Sequence, residues 1–474
     1  MSAKMDFLAS ARKKAVKASP ARDRISLLFD EGSFTELDAF AKAEGASAGV
    51  VTGYGAIEGV TVFAFAQDKT DASGAVGKVQ AAKIKKLYEL ALKTGSPVVG
   101  IYDSFGGALR EGNDMLAAYG EMMLWSSNLS GVVPQISVIA GTCAGTAALL
   151  AAGADLVVMS ETAEYFLTAP SIEKAQGSAA KGAGSASNAA DAGVAHITAK
   201  TPEEAIVTAK HLVSMLPQNN LSALPIFDFT AHDGAAEALN SACESDTRDA
   251  AVIVENVFDE GSIVELMPSY GKKGAYTALA TIGGFTCGVA ATRGGALCRK
   301  NCKKLSILMQ LCDAYQIPVV SFVDATGFLA DGEAELAGLA KYAAGLAHIY
   351  AEATTPKVAV ITGKAYGSAY IALAGKSANA DLTYAWPSAV ISALEPQAAV
   401  AIMQGDNVTA DNDMAAVTAK YIAEEASPYK ACEQGYVDDV IVPADTRDVL
   451  ISALDVLSGK RVNTLSKKHS NLPL

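Results

Sequence analysis

Two stretches of the chain share one pattern of apolar and small residues. The first runs from Pro134 through Ile136, Val138 and Ile139 to Gly141, Gly145 and Thr146. The second runs from Pro356 through Val358, Val360 and Ile361 to Gly363, Gly367 and Ser368. Each is a short apolar run, then a loop with glycine four residues after glycine, then an alanine-rich helical segment. That order predicts a buried strand turning into a helix. Glycine at such a turn lets the backbone approach a ligand closely, and the free amides opening the helix form an anion site. The alternative is a tight strand-to-helix turn with no ligand. Two copies in equivalent places favour a pair of oxyanion holes.

The recurrence extends beyond these turns. The run Phe29-Asp-Glu-Gly-Ser33 returns 229 residues later as Phe258-Asp-Glu-Gly-Ser262, and at the same offset Gly55 meets Gly284 and Gly59 meets Gly288. Pro97, Asp103 and Gly106 match Pro318, Asp324 and Gly327 at 221, and the glycine turns match at 222. A period of this size indicates two copies of one domain. Each copy reads as hairpin strands, a helix (79–94; 303–315), a buried strand, a longer helix, and the glycine turn. Strands alternating with helices predict an α/β fold with much parallel sheet. The expected domains are 1–235 and 236–474, with the polar stretch 230–249 as linker. Thr201, Pro202 and Glu204 mark a capped helix start. The Gly, Ala and Ser-rich segment 176–191 reads as a mobile loop, either a lid or plain disorder.

Composition narrows the chemistry. Half of the 474 residues are hydrophobic but only 7% are aromatic, so the core rests on small aliphatic residues. The net charge of −13 argues against a nucleic-acid partner. Seven scattered cysteines imply free thiols in a reducing compartment. The closest pair, Cys298 and Cys302, lacks the partners for a zinc site, so no metal is expected. The basic N-terminus has no apolar core for export and reads as a docked surface helix. Residues 136–154 are uncharged and long enough to span a membrane, but their glycines favour a strand, turn and helix. The expected setting is cytoplasmic.

No Gly-x-Ser-x-Gly elbow is present, and the five histidines lie in unrelated contexts, so a nucleophile triad is unsupported. Asp324 follows a strand and reads either as an acid/base or as a turn or capping residue. What fits is stabilisation of an enolate or other oxyanion by backbone N–H groups, with Gly145 and Thr146, and Ser368 and Ala369, as the donors.

Several longer motifs carry a resemblance: Ala21 to Asp38, Ser130 to Gly141, Gly193 to His196, Ile317 to Leu329, Tyr350 to Thr354, Tyr384 to Pro387 and Gly435 to Ile441. Together they resemble the biotin-dependent acyl-CoA carboxyltransferases over nearly the whole chain. The resemblance implies tandem crotonase-like ββα-spiral domains, with acyl-CoA on the N-terminal domain and carboxybiotin on the C-terminal domain of a partner subunit. It implies a hexamer built from dimers, a biotinylated carrier protein, and either a biotin carboxylase or a membrane decarboxylase subunit as further partners. Carried over, Gly145 and Thr146 match the acyl-CoA hole, with Ala144, Gly106 and Gly107 lining it. Ser368 and Ala369 match the biotin hole beside Gly367, and Ile371 matches a position that tunes acyl-group choice. The chain departs from the family where Thr146 and Ser368 replace the second glycine of each hole. It departs again at Phe105, which stands for a glycine in a loop lacking the usual arginine. A crotonase-type hydratase or isomerase, and a non-catalytic assembly subunit, are the competing readings.

Overall fold

In the computed structural model, the strand pattern resolves into two eight-stranded sheets of one design, beside a small two-stranded one. The structure describes residues 3–472 apart from 44–45, 179, 379, 409–412, 464 and 468. The first sheet holds β1 (Thr35–Leu37), β2 (Val50–Ile57), β3 (Val60–Gln67), β4 (Val98–Ser104), β5 (Gln135–Ala144) and β6 (Leu156–Ser160) in spatial order. β7 (Glu164–Phe166) pairs with the end of β5, and β8 (Ile197–Ala199) lies beyond β6. The second sheet repeats this order with β9 (Val264–Glu265), β10 (Ala275–Ile282), β11 (Phe285–Thr292), β12 (Val319–Ala325), β13 (Lys357–Tyr366) and β14 (Leu382–Ala385). There β15 (Val390–Ser392) pairs with the end of β13, and β16 (Asp439–Val440) follows β14. In both sheets the first three strands are antiparallel and every later pairing is parallel.

The division between units falls after Pro225. Residues 226–235, expected in the first copy, lie in the second unit: Ile226 bridges Phe285, and the Phe227 N–H donates to Gly284 O at 2.9 Å. The expected linker contains a helix, Ala235–Glu244, because Leu239 and Cys243 have a core to bury into.

Repeated residues do repeated work. Ser33 Oγ accepts from the Ala56 N–H at 3.0 Å, and Ser262 Oγ accepts from the Thr281 N–H at 3.1 Å. Thus the Phe-Asp-Glu-Gly-Ser runs brace the first hairpin of each sheet. That bracing corrects the glycine alignment. Gly59 (φ 78°) and Gly284 (φ 82°) are the second turn residues of their hairpins, so Gly59 matches Gly284 and Gly55 has no counterpart there. Four residues fewer separate the brace from the turn in the second copy. A type I′ hairpin turn needs positive φ at both central positions, met by Glu58-Gly59 and Gly283-Gly284. A second strut uses a buried ammonium. Lys83 Nζ donates to Val50 O at 2.7 Å, and Lys304 Nζ, 221 residues on, donates to Met267 O and Ala275 O at 2.9 and 3.2 Å.

The helix Lys78–Thr94 buries Ile84, Leu87, Tyr88 and Ala91, spaced i, i+3, i+4 and i+7 on one face. In Arg299–Ala314 the matching face is Leu305, Leu308, Met309 and Cys312. Tyr88 and Tyr102 meet Phe65 edge-on, with centroids 6.3 and 5.4 Å away, in the gap left by Gly100. Pro202–Met215 starts as expected, with Thr201 accepting from the Glu204 N–H at 3.2 Å. Glu204 reaches back one residue further than a capping box requires, to the Lys200 N–H at 3.0 Å.

Two expectations change in the structure and a third holds. The latter part of 176–191 is helix Ala186–Asp191, held by Ser185 as cap and by buried Ala186, Ala189 and Ala190. The N-terminal helix Ala3–Ala15 forms but buries none of its residues, leaving Phe7 75% exposed, so docking within its own chain is not seen. Residues 136–154 are a strand, a turn and a seven-residue helix, Thr146–Ala152, and no helix of the described residues is long and apolar enough to cross a membrane.

Candidate active site

The two glycines of each turn have different tasks. Gly141 lies on β5 beside Asp103 of β4, and a Cβ there would overlap the Asp103 carboxylate. Gly363 stands in the same relation to Asp324. Both strand pairs shift register at this point, between Tyr102 and Ser104 and between Val323 and Ala325, which lets the carboxylate turn inward. Asp103 Oδ1 accepts from the Thr142 N–H at 3.1 Å, and Asp324 Oδ1 accepts from the Lys364 N–H at 2.9 Å. Asp324 is therefore a buried strand clamp. Asp103 carries one more bond, from Arg24 at 2.9 Å.

The second glycine makes the turn. Gly145 has φ 62° and ψ −130°, a region only glycine enters at little cost, and the helix Thr146–Ala152 starts directly after it. Gly367 has φ 53°, and a Cβ on it would stand 3.1 Å from Ala393 O. The helix Gly367–Leu373 follows.

The structure brings several expected residues together. Gly106 (φ 104°) lies with its Cα over the carbonyl of Ala144, where a Cβ would come within 2.9 Å of the oxygen. Ser104 Oγ accepts from the Gly106 N–H at 3.0 Å and fixes that loop. Gly107 follows, bridged to Val76, with no room for a Cβ beside Met115. Thr146 is half-buried next to this loop's partner, Ala144. In the second unit Ser368 and Ile371 are exposed, one turn apart on one helix face, while Ala369 is buried. One donor is corrected. The Gly145 N–H is bonded to Phe166 O at 2.9 Å, because β7 pairs with the end of β5. The amides without an intrahelical acceptor are those of Thr146 and Ala147, which open the helix. They stand 222 residues before Ser368 and Ala369, so the corrected pair matches the second turn.

Side-chain nucleophiles are disfavoured around the first turn. Cys143 is buried, and burial pushes its thiol well up. His196 is buried with its Nδ1 accepting from the Val157 N–H at 2.9 Å, and burial lowers its pKa to about 4. It is a neutral structural group. Among the described residues no cluster of His, Cys, Asp or Glu suits a metal ion. Tyr366, before the second turn, is pushed up to about 12 by burial and stays protonated.

Four residues near the first turn were not marked by the sequence as site residues: Arg24, Lys69, Thr142 and Ala147. Lys69 Nζ donates to Thr142 Oγ1 at 3.0 Å and stands 4.7 Å over the Phe105 ring. Only the phenylalanine's departure from the family pattern hints at this contact.

Residues 17–472 match the carboxyl transferase domain. The chain is 39% identical to methylmalonyl-CoA decarboxylase subunit alpha of Veillonella parvula, over 96% of this chain and 93% of that one. It is 36% identical to the propionyl-CoA carboxylase carboxyltransferase subunit of Haloferax mediterranei, with the same coverage. The hexamer structure of transcarboxylase 12S, solved with hydrolysed methylmalonyl-coenzyme A bound, superposes with a TM-score of 0.94 at 32% identity, covering 99% of this chain and 98% of that one. The twice-built glycine turn thus sits in a tandem crotonase-like carboxyltransferase fold, and the chain belongs to the carboxyl transferase domain family.

Proposed function

We propose that this chain is the carboxyltransferase subunit of a biotin-dependent system that moves a carboxyl group between carboxybiotin and a short-chain acyl-CoA. The observation that carries the reading is the strand, glycine turn and helix built twice, in a chain of this family. Each turn offers a pair of backbone amides at the start of a helix. Biotin, brought on a carrier protein, supplies the ring nitrogen that accepts or releases the carboxyl group.

On the first unit, the amides of Thr146 and Ala147 hold the thioester oxygen as enolate charge develops on it. Ala144, Gly106 and Gly107 line the approach without side chains that would block it. A preorganised donor of this kind lowers the barrier by about 2.7–4 kcal/mol. On the second unit, the amides of Ser368 and Ala369 hold the ureido oxygen. The site fits a flat ring to this extent: Gly367 presents no Cβ at the turn, and Ser368 is exposed. Ile371, 55% exposed, lies one turn along on the same helix face as Ser368. The same fold supports assembly as a hexamer, since that is how the transcarboxylase relative is described.

The test is incubation with a biotinylated carrier and malonyl-, methylmalonyl- or glutaconyl-CoA. Carboxyl transfer with at least one of them is expected, and transfer with none would sink the reading.

A further inference from the structure

Lys69 follows directly on Asp68, past the end of β3, and its ammonium stands beside the first glycine turn. One donor reaches Thr142 Oγ1 at 3.0 Å, and the charge lies 4.7 Å from the centroid of Phe105. Thr142 leaves β5 on the same face as Ala144, two residues on. Phe105, 56% exposed, directly precedes Gly106, which packs on the Ala144 carbonyl. Both contacts therefore hold the ammonium against the two segments that form the turn.

Among the described residues, no carboxylate lies within the 4.0 Å of an ion pair with Lys69. Its sequence neighbour Asp68 is turned to the Thr70 N–H and hydroxyl. Asp103, on the neighbouring strand, is taken by Arg24 and the Thr142 N–H. An ammonium has three donors, and among the described residues one of them has a hydrogen-bond partner, Thr142. The second unit puts a cation at the matching place by a different route: Lys364 stands 222 residues after Thr142, is exposed, and its N–H clamps Asp324 as Thr142 clamps Asp103.

We propose that Lys69 is a specificity-determining residue that pairs with the carboxylate of a carboxylated acyl-CoA, such as a malonyl-type ester. This rests on the carboxyltransferase reading given above. The phosphates of coenzyme A do not fit the role, because the pantetheine arm separating them from the thioester is long and uncharged. The anion next to the thioester is the acyl carboxylate itself. The stacked Phe105 lowers the water exposure of the ammonium and strengthens the pair.

The experiment compares ester pairs that differ by one carboxylate, methylmalonyl-CoA with propionyl-CoA and malonyl-CoA with acetyl-CoA, by calorimetry on the full chain. Wild type is expected to prefer the carboxylated member. Lys69→Met is expected to weaken that member about tenfold or more and leave its partner ester nearly unchanged, while Lys69→Arg keeps the preference. Lys69 is exposed, and circular dichroism of the variant checks that the fold is intact. Equal weakening of both members, the mark of a phosphate contact, overturns the proposal, as does no weakening of either. Wild type that binds no ester at all defeats the carboxyltransferase reading and this proposal with it, a result distinct from an unchanged variant.

Discussion

Replacing Gly141 by alanine isolates the packing that shapes the first turn. Gly141 does not have a positive φ, so alanine is allowed by the backbone and gains about 0.4–1 kcal/mol from a less flexible unfolded chain. Against that, the new methyl overlaps the Asp103 carboxylate, which is only 7% exposed and has nowhere near to move. Overpacking costs about 1–3 kcal/mol. Displacing the carboxylate also breaks its bonds to the Thr142 N–H and Arg24, each worth about 1.5–3 kcal/mol for a charged acceptor. A net loss of at least about 3 kcal/mol follows, concentrated in β4 and β5. Urea unfolding by circular dichroism reads the total, and hydrogen exchange of the β4–β5 amides reads its location. The control is the same substitution in an Asp103→Ala background, where the obstacle is gone and Gly141→Ala is close to neutral. Additive losses in that double-mutant cycle, or a single-variant cost below about 1 kcal/mol, refute the division of labour between the two glycines.

Gly145→Ala tests the other glycine: with no atom within 4 Å of the added Cβ, its cost is conformational, about 1–3 kcal/mol. Carboxyl transfer is expected to fall about 100-fold or more as the Thr146 and Ala147 amides lose aim, and kcat/KM within about threefold of wild type would contradict that. Lys304 has a folded pKa of about 8, lowered from its ordinary value by burial. The unfolded chain therefore holds this proton to higher pH, and wild type gains stability relative to Lys304→Met as pH rises from about 8 toward 10.5, by at most about 1.4 kcal/mol per unit. A flat difference across that window in urea melts refutes it. His196, neutral when folded down to about pH 4, works in the acid range. As pH falls below about 6.5 the unfolded chain takes up the proton first, so stability is lost toward pH 4. His196→Asn, which keeps an acceptor for the Val157 N–H, is expected to lose that slope, and an identical acid profile counts against it.

Much of this architecture was legible in the order of residues. The duplication, the hairpins, the helix faces at 84–91 and the turns at 145 and 367 all depend on local periodicity and on glycine, which act within a few residues. The family motifs tied those turns to a reaction. The choice of donors was not legible. Gly145 looked like an amide donor, but whether its N–H is free depends on Phe166, which another strand brings alongside. The hairpin glycines misaligned for a related reason: identity at a fixed offset ignores a four-residue shortening that the Ser262 to Thr281 bond reveals.

The chain's own order determined two copies of an α/β unit, a core of small aliphatic residues, and a glycine turn ending one buried strand in each. Those features follow from short-range sterics and the burial of apolar faces. Only the tertiary structure decided what each glycine does, that Asp103 and Asp324 are clamps, that Lys83 and Lys304 brace backbone carbonyls, and that Lys69 stands beside Phe105 and Thr142. These depend on residues 29 to 79 positions apart meeting at hydrogen-bond or ring-contact distance. No local pattern encodes such a meeting, because it is set by which strands become neighbours in the sheet.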